Sequence, residues 1–204
     1  EEWASLPLQE IMEFGPRYPG KSICACLGAD AYRSFWVDSF AKFIEEYPQV
    51  NGCYWDSIDP VSCENELHGH GYTDSKGKRK PTNDILHYRD FYKRNYKLLK
   101  AKHPDAIITG HSSARRHLPT ISFCDVVYDG EQFVSNVSGN PNYCFTLNDM
   151  YCRAFFGTQF GLVPMLLPAY YNNEKKVASV KEPTESIYLH SLIYNFIVHS
   201  HRVN

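Results

Sequence analysis

Three short apolar runs of this chain each stop at a side chain that can exchange a proton. The run 50–56 ends at Asp56, the run 106–111 ends at His111, and the run 124–131 passes through Asp129 to Glu131. The apolar part of each run is nearly continuous rather than alternating, which predicts strands buried on both faces, as in parallel sheets. A polar residue at the end of such a strand is in the position that active-site groups take in α/β barrels.

The rest of the chain alternates in the same way between strand and helix patterns. Amphipathic stretches separate the apolar runs, and the second of them has Pro81 and Thr82 in front of it as a start signal. Strands that alternate with helices predict an α/β fold. The predicted strands are 22–27, 50–56, 106–111, 124–128 and 162–167, and the predicted helices are 31–46, 83–102, 146–156 and 182–199.

Five strands are too few for a closed eight-stranded barrel, which takes about 250 residues. We therefore expect residues 1–204 to be a single barrel region, the middle and later part of a (β/α)8 TIM barrel in a longer chain, and the start Glu1-Glu2-Trp3 suggests a processed or excised piece. The alternative is a smaller doubly wound sheet, but the glycine-rich phosphate-binding turn that often accompanies one is missing.

Charge and composition exclude several classes of partner. The 21 basic and 23 acidic residues give a net charge of -2, which argues against nucleic acid or an anionic membrane as partner. No apolar run has the length of about 20 residues that a membrane span needs. The seven cysteines lack the paired spacing of a zinc site, so we expect buried free thiols rather than a disulfide framework. We expect a secreted or periplasmic location ahead of a cytoplasmic one.

The segment 57–84 is too long for an ordinary connection between a strand and a helix, and long loops in compact domains are usually functional or disordered. Its first half is rich in side chains suited to binding hydroxyl groups, among them Asp59, His68 and His70. Its second half is a charged turn that we expect to be solvated. Each polar residue alone is better explained by a turn or cap, whereas the loop as a whole is predicted to form a wall of the substrate site.

The carboxylates at the strand ends are the strongest catalytic candidates. Glycoside cleavage needs two carboxyl groups, one that protonates the leaving oxygen and one that acts as nucleophile or activates water. Neighbouring strand ends would provide this pair from Asp56 together with Glu131 or Asp129. The alternative is structural: Asp56 would cap the next loop or pair with Arg89, and Glu131 would lie exposed in a turn.

Other side chains near the strand ends are predicted to contact the substrate. His111 would point into the same opening, as a binding residue or a proton partner. Aromatic residues near the ends of the runs could stack on a sugar ring, and we select Tyr54, Tyr128 and Tyr170.

The ordered set of motifs from residue 54 onward resembles a known group of proteins. The motifs are Y-W-D-S-x-x-P from Tyr54, C-x-N-x-L-H-G-H-G-Y from Cys63, a G-K-x-x-x-T turn, Arg89, G-H-S-S and Y-D-G-E-Q-F. They are similar to glycoside-hydrolase-like barrels related to the N-terminal region of glycoside hydrolase family 123-like proteins. The resemblance covers roughly residues 31–171 and implies a TIM barrel that hydrolyses glycosidic bonds.

A predicted helix followed by G-x-Y-x-D, from Gly52 to Asp56, resembles more distantly the α-galactosidase-like retaining glycosidases. In that family a nucleophilic aspartate ends the fourth strand and an acid/base aspartate ends the sixth. The resemblance implies that Asp56 is the nucleophile and that Asp129 or Glu131 is the acid/base. The chain departs from the pattern because it lacks the first barrel strands, which the rest of the parent chain would supply.

The sequence therefore predicts a glycosidase that acts on an oligosaccharide or polysaccharide without a metal or another cofactor. One alternative is a metal-dependent barrel hydrolase that uses His68, His70, His111 and a carboxylate, since zinc accepts both ligand types. Another is a non-catalytic carbohydrate-binding barrel, because a fold does not determine a function.

Overall fold

The computed structural model describes residues 2–5, 12–13, 21–22, 24–112, 115–133, 146–157, 161–168 and 181–199. The chain divides into two compact units. Unit 1 comprises Glu1–Gly52, Pro60–Ala106 and Leu118–Phe123, and unit 2 comprises Cys53–Asp59, Ile107–His117 and Cys124–Asn204. Within the described ranges no helix is both long enough and apolar enough to cross a bilayer.

The described elements alternate along much of the chain between strands and helices. The strands are β1 Met12–Glu13, β2 Lys21–Ser22, β3 Gly52–Trp55, β4 Tyr72–Thr73, β5 Arg79–Lys80, β6 Ile107–His111, β7 Val126–Asp129, β8 Val163–Leu166 and β9 Ile197–Val198. The α-helices are α1 Asp30–Glu46, α2 Ile85–Lys102, α3 Leu118–Ile121, α4 Asp149–Phe156 and α5 Lys181–Tyr194, and 3-10 turns cover Glu66–His68 and Glu131–Phe133.

Unit 2 is built on a five-stranded parallel sheet whose strands lie in the order β3-β6-β7-β8-β9. The predicted α/β class is confirmed. Spatial order follows chain order throughout, so this sheet has none of the strand-order reversal that defines a doubly wound fold. Strand β7 is buried along its whole length, as its apolar run predicts for a strand that is covered on both faces.

The core of unit 2 packs α4 and α5 around the later strands. Phe156 and Phe196 stack with ring centroids 3.9 Å apart, and Leu166 and Ile187 are completely buried beside them. Burying side chains of this size contributes about 1.5–3 kcal/mol each. This aromatic and aliphatic packing joins α4 and α5 to β8 and β9.

Unit 1 is organised by the packing of α1 against α2. The rings of Trp36 and Phe91 meet edge to face with centroids 5.1 Å apart, and Arg33 reaches Asp90 at 3.5 Å. Helix α2 begins after Asp84, whose carboxylate accepts a hydrogen bond from the His87 backbone N–H at 3.4 Å. An aspartate at this position satisfies a backbone donor that the helix itself cannot pair.

Two predicted elements are corrected by the structure. The apolar run 22–27 does not form a parallel strand: β2 ends at Ser22 in an antiparallel pair with β1, and Ala25 makes only an isolated antiparallel bridge to Ala4. The helix predicted over 182–199 ends at Tyr194, and Asn195 adopts a left-handed conformation (φ 54°) before β9 begins. A residue in that conformation cannot continue a right-handed helix.

Candidate active site

Three predicted site residues lie at the same edge of the sheet in unit 2. Asp56 directly follows β3, His111 is the last residue of β6, and Glu131 lies two residues beyond β7. These strands are neighbours, and their carboxyl ends therefore open onto one space. Open α/β sheets and barrels both place their ligands at this edge.

The imidazole of His111 contacts a carboxylate at each of its two ring nitrogens. Nδ1 lies 2.9 Å from Oδ1 of Asp56, and Nε2 lies 3.8 Å from Oε2 of Glu131. The histidine side chain is only 6% exposed, whereas the Asp56 side chain is 68% exposed and that of Glu131 is 47% exposed. The buried ring is thus hydrogen-bonded to Asp56 and lies near, but beyond hydrogen-bond distance of, the Glu131 carboxylate.

Tyr54 belongs to the same cluster because residues two apart on a strand share a face, so its side chain lies on the side of Asp56. Its hydroxyl is 2.6 Å from Nδ1 of His111 and 3.3 Å from Oδ1 of Asp56. Burial, and next the Asp56 charge, raise the pKa of Tyr54, which keeps the hydroxyl protonated and able to donate. One oxygen of Asp56 is therefore bound by neighbouring side chains.

Aromatic rings line this edge beside His111. Tyr128 is paired in register with His111, and its ring lies 5.0 Å from the imidazole and 6.1 Å from the ring of Tyr54. The ring of His199, which follows β9, has its centroid 5.3 Å from that of the Tyr128 ring. The sequence prediction missed His199 because the run that ends at this residue was assigned to a helix; a short apolar run that ends in a histidine was the available signal.

Asp129 does not share this face. Successive side chains of a strand point to opposite faces, so Asp129 points away from the side that carries Tyr128. Its carboxylate is completely buried and accepts hydrogen bonds from the Gly130 backbone N–H at 2.6 Å and from the Tyr151 hydroxyl at 3.2 Å. The pKa of Tyr151 is raised by burial and then by the charge of Asp129.

A cation faces the same buried carboxylate. Burial lowers the pKa of Arg116 to about 10, and the charge of Asp129 acts in the opposite direction. The Arg116 guanidinium also lies 3.5 Å from the centroid of the Phe155 ring. Asp129 is therefore buried between the sheet and helix α4, whereas Glu131 is the carboxylate of this segment that lies at the accessible strand end.

The chain changes direction at Gly130, between Asp129 and Glu131. The φ of this glycine is 138°, a backbone conformation that residues other than glycine rarely adopt. A Cβ at this position would also lie 2.3 Å from the carbonyl oxygen of Leu167. Because the chain turns here into a 3-10 helix, Glu131 returns toward the face of His111. The Asp-Gly-Glu sequence thus separates a buried acid from an accessible one.

The contacts of the remaining predicted site residues are as follows. Asp59 has its Oδ1 4.0 Å from Nε2 of His117 in unit 2. His68 and His70 belong to unit 1, where their ring nitrogens lie against Cys63 and Cys26. Tyr170 lies outside the described residues.

Metal-ligating side chains form two groups in the described part of the chain, and both lie in unit 1. One contains Cys26, Cys63, His68 and His70, and the other contains His70, Asp84 and His87. Neither of these two groups contains His111.

No protein-family model matches the chain, and no curated protein is significantly similar to it.

Proposed function

We propose that this chain is the catalytic region of a glycoside hydrolase that cleaves O-glycosidic bonds with Asp56 and Glu131. The observation that carries the proposal is the position of His111, which contacts both carboxylates, one at each ring nitrogen. Most glycoside hydrolases need two carboxyl groups, one on each side of the scissile bond, and Asp56 and Glu131 are two accessible ones at the same edge of the sheet. No metal or other cofactor takes part in the proposed reaction.

Asp56 is the proposed nucleophile. Its Oδ1 is held by Tyr54 and His111, so the carboxylate has a fixed orientation at an exposed strand end. Holding a nucleophile in one geometry removes much of the entropic cost of reaching the transition state. Attack of the carboxylate on the anomeric carbon forms a glycosyl ester while the aglycone oxygen departs.

Glu131 is the proposed acid/base. It would give its proton to the departing oxygen and then take one from the water that hydrolyses the ester. Because both carboxylates contact the His111 ring, their contacting oxygens are at most about 9 Å apart. This upper limit allows both the roughly 5–5.5 Å separation of the carboxyl groups in retaining enzymes and the roughly 6.5–9.5 Å separation in inverting enzymes. The resemblance to retaining enzymes favours the double displacement.

The sheet supports a barrel setting for this chemistry. Five parallel strands in chain order are the arrangement found in the wall of a (β/α)8 barrel, and we propose that the parent chain supplies the remaining strands. The rings of Tyr54 and Tyr128 would offer apolar surface to the substrate, an oligosaccharide or polysaccharide. Aromatic faces of this kind are suited to the apolar side of a sugar ring.

A comparison of leaving groups tests the proposal in the full-length parent protein. Glu131→Gln should lose hydrolysis of natural glycosides but keep the first step on 4-nitrophenyl glycosides, because nitrophenolate departs without protonation. Azide should then accelerate the slow second step, since a small anion attacks without a general base. Loss of both substrate types in equal measure, or sugar binding without turnover by the wild-type protein, would contradict the proposal.

A further inference from the structure

Four side chains with metal-ligating atoms meet inside unit 1. The atoms are Sγ of Cys26 and Cys63 and one ring nitrogen each of His68 and His70, and all four lie within 4.8 Å of one another. Sγ of Cys26 is 3.3 Å from Nδ1 of His70, and Sγ of Cys63 is 3.1 Å from Nε2 of His68. A tetrahedral zinc ion at normal bond lengths places its sulfur and nitrogen ligands about 3.5 Å apart.

Backbone donors point at both sulfur atoms. The N–H of Gly28 lies 3.3 Å from Sγ of Cys26, and the N–H of Asn65 lies 3.4 Å from Sγ of Cys63. Hydrogen bonds to cysteine sulfur stabilise the thiolate, which is the form that binds a metal. The two sulfur atoms thus have the surroundings of metal-bound thiolates.

A carboxylate orients one of the imidazoles. Nε2 of His70 lies 3.1 Å from Oδ2 of Asp84, the residue that caps α2. When Nε2–H donates to this carboxylate, the lone pair remains on Nδ1, the nitrogen that faces Cys26. A carboxylate behind a histidine ligand is a usual feature of zinc sites.

The local backbone provides the space for this cluster. A Cβ at Gly28 would lie 1.9 Å from the His70 ring, so a glycine is needed where the ring packs against the chain. Cys63 is held in place by a two-way backbone bridge to Thr82, with N···O distances of 2.9 and 2.8 Å. The ligands are therefore supported from separate parts of unit 1.

We propose that these four residues bind one Zn²⁺ in a closed, tetrahedral, structural site. Four protein ligands of this type complete the coordination of zinc, whereas catalytic sites keep a position for water. Both cysteines and His70 are almost fully buried, at 2%, 0% and 4% exposure, so neither thiol can meet a substrate as a nucleophile. The ion would join the segment before α1 to the loop 63–70, and it is independent of the glycosidase proposal.

Metal analysis of the purified chain tests this proposal directly. Wild-type protein prepared under reducing conditions without a chelator should contain about one zinc per chain. Cys63→Ser should lose most of it, while Cys24→Ser, a control in the same segment whose sulfur lies outside the cluster, should retain it. Because zinc binding adds to folding free energy, chelation should lower the melting temperature of the wild type and of Cys24→Ser.

Cobalt replacement keeps the test independent of whether the cysteine variant folds. Co²⁺ in the wild-type chain should give the intense visible bands of tetrahedral coordination together with thiolate charge-transfer bands. Three results would overturn the proposal: less than about 0.2 zinc per wild-type chain after refolding in excess zinc, an octahedral cobalt spectrum, or a Cys26–Cys63 disulfide in peptide maps of the reductively prepared protein.

Discussion

Asp129→Asn should lower mainly the stability of the protein, whereas Glu131→Gln should lower mainly its catalytic activity. The two acids are separated by one residue, but Asp129 is completely buried between a backbone N–H and the Tyr151 hydroxyl, whereas the Glu131 side chain is 47% exposed. The first substitution therefore changes a buried polar network, and the second changes a group at the accessible strand end.

The expected magnitude follows from these contacts. A hydrogen bond to a charged group contributes about 1.5–3 kcal/mol and a neutral one about 0.5–1.5, so neutralising the acceptor costs about 1–1.5 kcal/mol per bond, or about 2–3 kcal/mol for the bonds from Gly130 and Tyr151. Arg116 also loses the negative charge that acts on its guanidinium, and we expect a total loss of about 3 kcal/mol or more in the free energy of unfolding for Asp129→Asn. Glu131→Gln should stay within about 0.5 kcal/mol of the wild type.

Urea unfolding followed by circular dichroism measures both variants. At an m value of about 2–3 kcal/mol per M, Asp129→Asn should lower the unfolding midpoint by about 1 M. Tyr151→Phe, which removes one donor to the same carboxylate, should lower stability by about 1–2 kcal/mol, and the two losses should not add fully. An unchanged midpoint for Asp129→Asn, combined with azide rescue of that variant, would show that the roles of Asp129 and Glu131 are reversed.

Two further predictions concern the strands that carry the site. Gly77→Ala, with φ 76° and open space around it, should cost about 1–2 kcal/mol of stability and leave activity unchanged. Gly130→Ala should cost about 1–3 kcal/mol more than Gly77→Ala and reduce activity, because the new Cβ would also meet the Leu167 carbonyl oxygen. Equal losses of stability in the two variants would contradict the close-contact argument. Burial, and next the Asp125 charge, raise the pKa of the Cys124 thiol to about 12. Only the unfolded thiol therefore ionises just above pH 9, and the free energy of unfolding should fall there by at most about 1.4 kcal/mol per pH unit. In denaturation measured as a function of pH, Cys124→Ala should reduce this slope and Val126→Ala should not.

The sequence predicted the sheet strands where apolar runs were continuous. The runs 50–56, 106–111, 124–128 and 162–167 correspond to β3, β6, β7 and β8. The run 22–27 was misassigned because a short apolar segment can be buried without pairing in a sheet, and periodicity alone does not distinguish the two cases. β9 is only two residues long, and Asn195, between α5 and β9, has a left-handed backbone conformation. A strand this short has no hydrophobic periodicity from which it could be predicted.

The strand-end rule placed Asp56, His111 and Glu131 at one edge, but it could not separate Asp129 from Glu131. The separation depends on the turn at Gly130, and the alternation of strand faces was the sequence signal that could have excluded Asp129. The cysteine–histidine cluster was missed for a different reason. Its first ligand, Cys26, is far in sequence from the other three, so no short spacing motif connects them.

The rate of glycoside hydrolysis by Asp56→Asn tests the central claim most directly. The asparagine keeps the shape of the side chain but has no negative charge with which to attack or stabilise the oxocarbenium-like centre. Nitrophenol release from a panel of 4-nitrophenyl glycosides, measured with the full-length parent protein, should fall by at least about 10³-fold for every substrate that the wild type cleaves. Near-normal rates for Asp56→Asn, with folding verified by circular dichroism, would contradict the account.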